Sequence, residues 1–111
     1  MKKEKEEELI GKALKAKDLV GYDKGAVVSR TILQKKTGTV TIFSFDKGQG
    51  LSEHTAPFDA MVEILDGEAE IFIAGKPHKV KAGEFIIMPA NKPHSLKAVK
   101  KFKMELIMIR A

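Results

Sequence analysis

From Val27 onward the apolar residues come in short runs broken by turn formers. The runs lie near 27–35, 38–46, 59–66, 68–74, 78–82, 84–88, 94–99 and 101–110, and turns are expected at Lys36–Gly38, Gly48–Gly50, Asp66–Gly67, Gly75–Pro77, Ala82–Gly83 and Pro89–Pro93. Runs of this length and spacing predict an all-β sandwich or barrel. In the last run Phe102, Met104, Leu106 and Met108 alternate onto one face, which is therefore core. Lys103 and Glu105 begin the opposite face, but Ile107 and Ile109 make its end apolar. Adjacent β-branched residues are seldom left in water, so this end predicts a second buried layer or a contact with a second copy of the chain; a homodimer is expected.

The N-terminal stretch has a different texture. From Lys2 to Val20 acidic residues lead and lysines trail, the order that complements a helix dipole, with apolar residues at Leu9, Ile10, Ala13 and Leu14. A short helix or arm over residues 1–24 is expected, followed after Gly21 and Gly25 by one β domain over 25–111. A length of 111 residues leaves no room for two cores.

Composition narrows the function classes. An apolar fraction of 43% can form a core, and the lack of cysteine excludes disulfides, thiolate zinc clusters and a cysteine nucleophile. The net charge of +5 comes from lysines spread along the whole chain among glutamates, with arginine only at Arg30 and Arg110 and no stacking aromatics clustered with the basic residues. That pattern is a solvated surface, and specific nucleic-acid binding is not expected. No run approaches the ~20 apolar residues of a membrane span, and the start of the chain lacks the apolar region of a signal peptide, so a cytoplasmic protein without a membrane partner is expected.

Two constellations of glycine, histidine and proline stand out. The first runs from Gly48 through His54, Ala56, Pro57, Phe58, Asp59 and Ala60 to Gly67; the second runs from Gly83 through Pro89, Asn91, Pro93 and His94 to Ala98. Together they resemble the two motifs of the cupin superfamily, G-x5-H-x-H-x3,4-E-x6-G and G-x5-P-x-G-x2-H-x3-N. Gly48, His54, Gly67, Gly83, Pro89 and His94 all hold the family spacing. The resemblance implies a double-stranded β-helix, the jelly-roll or cupin barrel, enclosing a pocket, in a family whose members commonly dimerise. It also implies a divalent transition metal held by two histidines and an acid of the first motif and the histidine of the second, an arrangement used by dioxygenases, isomerases and decarboxylases.

The chain departs from the pattern at that metal site. Ala56 stands in the place of the second histidine and Ala60 in the place of the acid, which leaves His54 and His94. Strand parity groups Ala56, Phe58, Ala60, Val62 and Ile64 with His54 as an apolar wall and turns Asp59 away, unless a bulge near Pro57 brings Asp59 inward as a reserve ligand. Asn91 in a glycine place is tolerated in a left-handed turn. Two imidazoles make a weak metal site. The expectation is therefore a small-molecule-binding or sensing module without a conventional catalytic metal, its pocket formed by His54, His94, Ala56, Phe58 and Ala60. The alternative is a metal-dependent oxygenase or isomerase using His54, His94 and Asp59. His78 sits in a turn-like context, Ser95 faces away from its neighbour His94, and Glu53, Glu63 and Glu70 fall on surface positions. Met61, Met88, Met104 and Met108 read as core filling.

Overall fold

A computed structural model describes residues 8–110. Eight strands follow one another: β1 (Val27–Lys35), β2 (Gly38–Phe45), β3 (Gly50–His54), β4 (Ala60–Ile73), β5 (Lys76–Lys81), β6 (Phe85–Met88), β7 (His94–Lys97) and β8 (Phe102–Ile109). All their pairings are antiparallel. The chain is a curled double sheet, the cupin jelly roll that the motifs imply.

β4 joins the two halves. Its first half pairs with β8 and β6, and its second half with β7 and β5. Asp66–Gly67 is therefore not the turn expected between two strands but a bend inside one strand of 14 residues. The register against β8 slips between Ile64 and Asp66, and Gly67 follows with a φ of 76°. A bulge followed by a left-handed residue turns a strand without ending it, and glycine adopts that φ without steric cost. A Cβ at Gly67 would also collide with the Lys101 carbonyl oxygen and lie 3.1 Å from Phe102 Cα.

Alternate residues of both halves fill the interior. Phe45, Val62, Ile64, Ile71, Phe102 and Met104 are almost wholly buried, and the Phe45 and Phe102 rings stack with centroids 4.6 Å apart. The opposite parity of β2 should meet water, yet Ile42 and Ser44 are both at 0% exposure. The N-terminal arm explains this. Glu8 and Leu9 are helical and a 3-10 turn follows over Ala16–Leu19, while the part of the expected short helix or arm on residues 1–7 lies outside the described residues. The arm is tied across the outside of the sheet at four points. Ser44 Oγ donates to Gly21 O at 2.8 Å, Lys103 Nζ to Lys17 O at 2.7 Å, Tyr22 Oη to Asp66 at 2.5 Å, and Arg30 to Leu19 O at 3.4 Å. Burial and the Asp66 carboxylate together hold the Tyr22 phenol well above its ordinary pKa, so it remains the donor.

Candidate functional site

His54 ends β3, a strand that the turn residues of Gly48–Gly50 and the polar run Ser52-Glu53-His54 concealed in the sequence. Leu51 pairs with Leu96 of β7, but His54 pairs with His94, so β3 carries one extra residue between the two pairs. That bulge turns His54, rather than Glu53, toward His94. His94 opens β7 and is buried at 4% exposure, whereas His54 is exposed at the rim.

The two rings meet edge to face with centroids 4.3 Å apart, and their Nε2 atoms are 3.1 Å apart. Each Nδ1 faces a backbone carbonyl, Ser52 O at 2.7 Å for His54 and Lys92 O at 3.2 Å for His94. A carbonyl only accepts, so the hydrogen-bond network assigns the hydrogen of each neutral imidazole to Nδ1. Both Nε2 atoms then present lone pairs to one another. The arrangement is satisfied by a single electrophile between them: a proton, a donor hydrogen of a ligand, or a cation. Burial first, and then the His54 charge, hold the His94 pKa below the ordinary histidine value, so at neutral pH His94 Nε2 is an acceptor.

Two connectors, residues 55–59 and 89–93, link the histidine row to the Ala60 and Met88 row of the other half. Ala60 pairs with Met88 on one side and Met108 on the other, and Met108 pairs with Thr39. The mouth of the barrel therefore has His54, His94 and Ile73 on one side and Met88, Ala60, Met108 and Thr39 on the other. Asn91 takes the left-handed turn at a φ of 64°, and its N–H bonds Ala56 O at 2.7 Å, tying the two connectors together.

Of the residues expected in the pocket, His54, His94 and Ala60 share this mouth. Phe58 lies in the 55–59 connector, through which strand parity cannot be counted. Phe58 instead lines an open concavity of about 590 Å³ with Asp59, Ala60, Met61, Ile87, Ile107 and Ile109, and the Arg110 guanidinium stands 5.8 Å over its ring. Ala56 contributes its carbonyl to the Asn91 turn. Asp59 accepts the Ala90 N–H at 2.8 Å, and no three acidic or histidine side chains come together as a metal-binding group among the described residues. The donor set therefore falls short of what a resident divalent ion takes from protein side chains.

Thr39 was missed by sequence reasoning. It is 8% exposed, and its Oγ1 is buried without a hydrogen-bond partner among the described residues. Only the parity of Phe43 and Phe45 on the same strand could have placed it inside.

Comparison with known proteins agrees with the fold. The family model described as Cupin domain matches residues 41–110. A conserved protein of unknown function from Streptococcus pyogenes is 40% identical, with 91% of this chain and 89% of that one covered at a TM-score of 0.86. A cupin 2 conserved barrel domain protein from Leptotrichia buccalis is 44% identical over 84% of this chain and 45% of its own, at a TM-score of 0.81. A cupin superfamily protein from Desulfitobacterium hafniense is 26% identical, covering 91% and 93%, at a TM-score of 0.86. Among curated proteins none matches.

Proposed function

Because this chain belongs to the cupin family, we propose that it is a small-molecule-binding member whose ligand enters the barrel mouth and offers a hydroxyl or amine hydrogen to the histidine pair. The observation that carries this reading is the convergence of two Nε2 lone pairs at 3.1 Å above an apolar interior. Such a site fixes a polar group of the ligand while Ile73, Ala60, Met88 and Met108 take its apolar body. The unpartnered Thr39 hydroxyl supports a second polar atom on the far side of the mouth. The cysteine-free, lysine-rich chain suits the cytoplasm, where such a ligand would be a metabolite.

The test is a titration of imidazole nitrogen resonances with a fragment set of small alcohols, phenols and amines. Binders should move the His54 and His94 Nε2 signals, and His94→Ala should weaken them at least about tenfold, the loss of one buried hydrogen bond. Binders that leave both rings unperturbed would defeat the reading.

A second reading rests on the same distance, because two nitrogens so placed can take adjacent positions on one metal ion. His54 and His94 would hold a divalent ion whose remaining positions fall to water and substrate, and the chain would be a metal-dependent oxygenase or isomerase. Asp59, whose Oδ1 accepts the Ala90 N–H, would be the reserve ligand through its second oxygen. Elemental analysis of untagged protein purified without chelator separates the two readings, near-stoichiometric metal favouring the second.

A further inference from the structure

The buried polar side chains among the described residues are Thr39, Ser44 and His94; no acid, lysine or arginine is buried with them. Ser44 faces outward and is satisfied by Gly21 O of the arm. The other two face the barrel interior, and each keeps an open hydrogen-bonding position there. His94 Nε2 presents a lone pair beside that of His54, and Thr39 Oγ1 has no partner among the described residues. A buried hydroxyl left unpaired costs free energy, so a native chain keeps one where something else completes it.

The strand pairings place Thr39 across from the histidines. β4 runs through both sheets, with β8 beside its first half and β7 beside its second. β6 and β5 take the other flank of those two halves and are joined directly through residues 82–84, so β7 and β8 lie together on the remaining flank. Counted outward from β4, the row Ala60–Met108–Thr39 of one sheet therefore faces the row Ile73–His94–His54 of the other. Thr39 stands at the start of β2 and His54 at the end of β3, and residues 46–49 join these strands at the opposite end, so both belong to the mouth. Sheets packed face to face stand ~10 Å apart. Met108, Ala60 and Ile73 make the space between apolar, and Lys76, which pairs with Ile73 on the β5 flank, is exposed.

An occupant of this space meets hydrogen-bonding groups on two facing walls and no buried charge. A carboxylate would lose its water there without gaining a buried cation, and would face the two imidazole lone pairs. A hydroxyl donates to those lone pairs, and a second hydroxyl both gives and accepts, as Thr39 Oγ1 does, so that pairing needs no fixed direction. Resting on the ligand-binding reading above, we propose that the ligand is a compact, uncharged molecule with two hydroxyl groups, one donating to the His54–His94 pair and the other paired with Thr39, and that Thr39 sets the preference for the second hydroxyl. A spacing of ~10 Å between sheets, less the reach of an imidazole and a threonine side chain, suits a molecule of about three to six carbons. A site built to pair a ligand hydroxyl rejects the analogue that lacks it, because its own polar group then stays unpaired.

The test is a titration of the parent and of Thr39→Val with terminal diols of three to six carbons, the 1-alkanols of the same lengths and the matching hydroxycarboxylates, followed by the His54 and His94 Nε2 resonances. In the parent, at least one diol should bind about tenfold more tightly than its alkanol, the worth of one buried hydrogen bond, and more tightly than its hydroxycarboxylate. In Thr39→Val the advantage over the alkanol should vanish, while the alkanol itself binds within about threefold of its parent affinity. Valine keeps the shape of threonine without the unpaired hydroxyl, so the free variant should melt no lower than the parent. Diols no tighter than alkanols, or hydroxycarboxylates tighter than diols, with both rings still shifting, would overturn the two-hydroxyl class and leave the histidine-pair reading standing. Ring signals that no compound moves would defeat that reading and this one with it. A melting temperature several degrees lower in Thr39→Val would mean that the protein itself satisfies the hydroxyl, and the role given to Thr39 would fall.

Discussion

Replacing Ala60 by Glu and Ala56 by His should turn the mouth into a metal site, and the size of the effect follows from the geometry. With metal–nitrogen bonds of ~2.1 Å, the two Nε2 atoms 3.1 Å apart subtend about 95° at an ion between them, close to the angle between adjacent ligands of an octahedron. Half of the coordination geometry is therefore already built, and Ala60 faces it from the other half of the barrel. The parent Ala60 is 4% exposed, so inserting a glutamate without metal should cost about 1–3 kcal/mol by overpacking. At roughly 4–8 °C per kcal/mol, the apo variant should melt visibly below the parent. Nickel at a hundred times its Kd stabilises the native state by about 2.7 kcal/mol, enough to recover most or all of that loss. The assay is thermal unfolding with and without nickel, with calorimetric titration for the affinity, and His54→Ala added to the double variant should abolish the gain. If nickel moves the melting temperature of the double variant no more than that of the parent, Ala60 does not face the histidine pair, and the assignment of the mouth is wrong.

Other outcomes follow from the same physics. The His94 pKa is lowered in the fold, so the folded chain binds fewer protons than the unfolded one just below the ordinary histidine value; stability should be full above pH ~6.5 and fall on acidification, and His94→Gln should flatten that part of a melting-temperature profile. Gly67→Ala should cost at least about 2–3 kcal/mol, seen as a lower urea midpoint, because the new methyl meets backbone and φ stays positive. Asp59→Ala should free the Ala90 N–H and loosen the connector before β7, lowering the melting temperature by a few degrees, while leaving nickel uptake by the double variant unchanged.

The fold was legible because glycine, proline and histidine mark the corners of this barrel, and corners are where residue identity is constrained by φ and by close approach. Asn91 could be read as a left-handed turn residue for that reason, and its φ of 64° agrees. The continuity of β4 was not legible, since Asp66–Gly67 has the chemistry of a turn and only the pairing with β8 reveals a bulge. Phe58 was assigned by alternation, which holds within strands but cannot be counted through the connector that contains it. Thr39, and the row in which Leu33, Val40, Ile107, Met61 and Ile87 align across five strands, depend on register between distant strands. The sequence shows only the Ile107 and Ile109 end of that row.

β4 also governs how the chain must fold. A strand shared by both halves couples them, because its partners β6, β7 and β8 lie further along the chain and only β5 follows it directly. The contacts of the barrel are mostly non-local, which places folding on the millisecond-to-second scale of β-rich topologies. Slow amide exchange should accordingly be lost from both halves together, in one concerted opening, rather than first from the rim that carries the histidines.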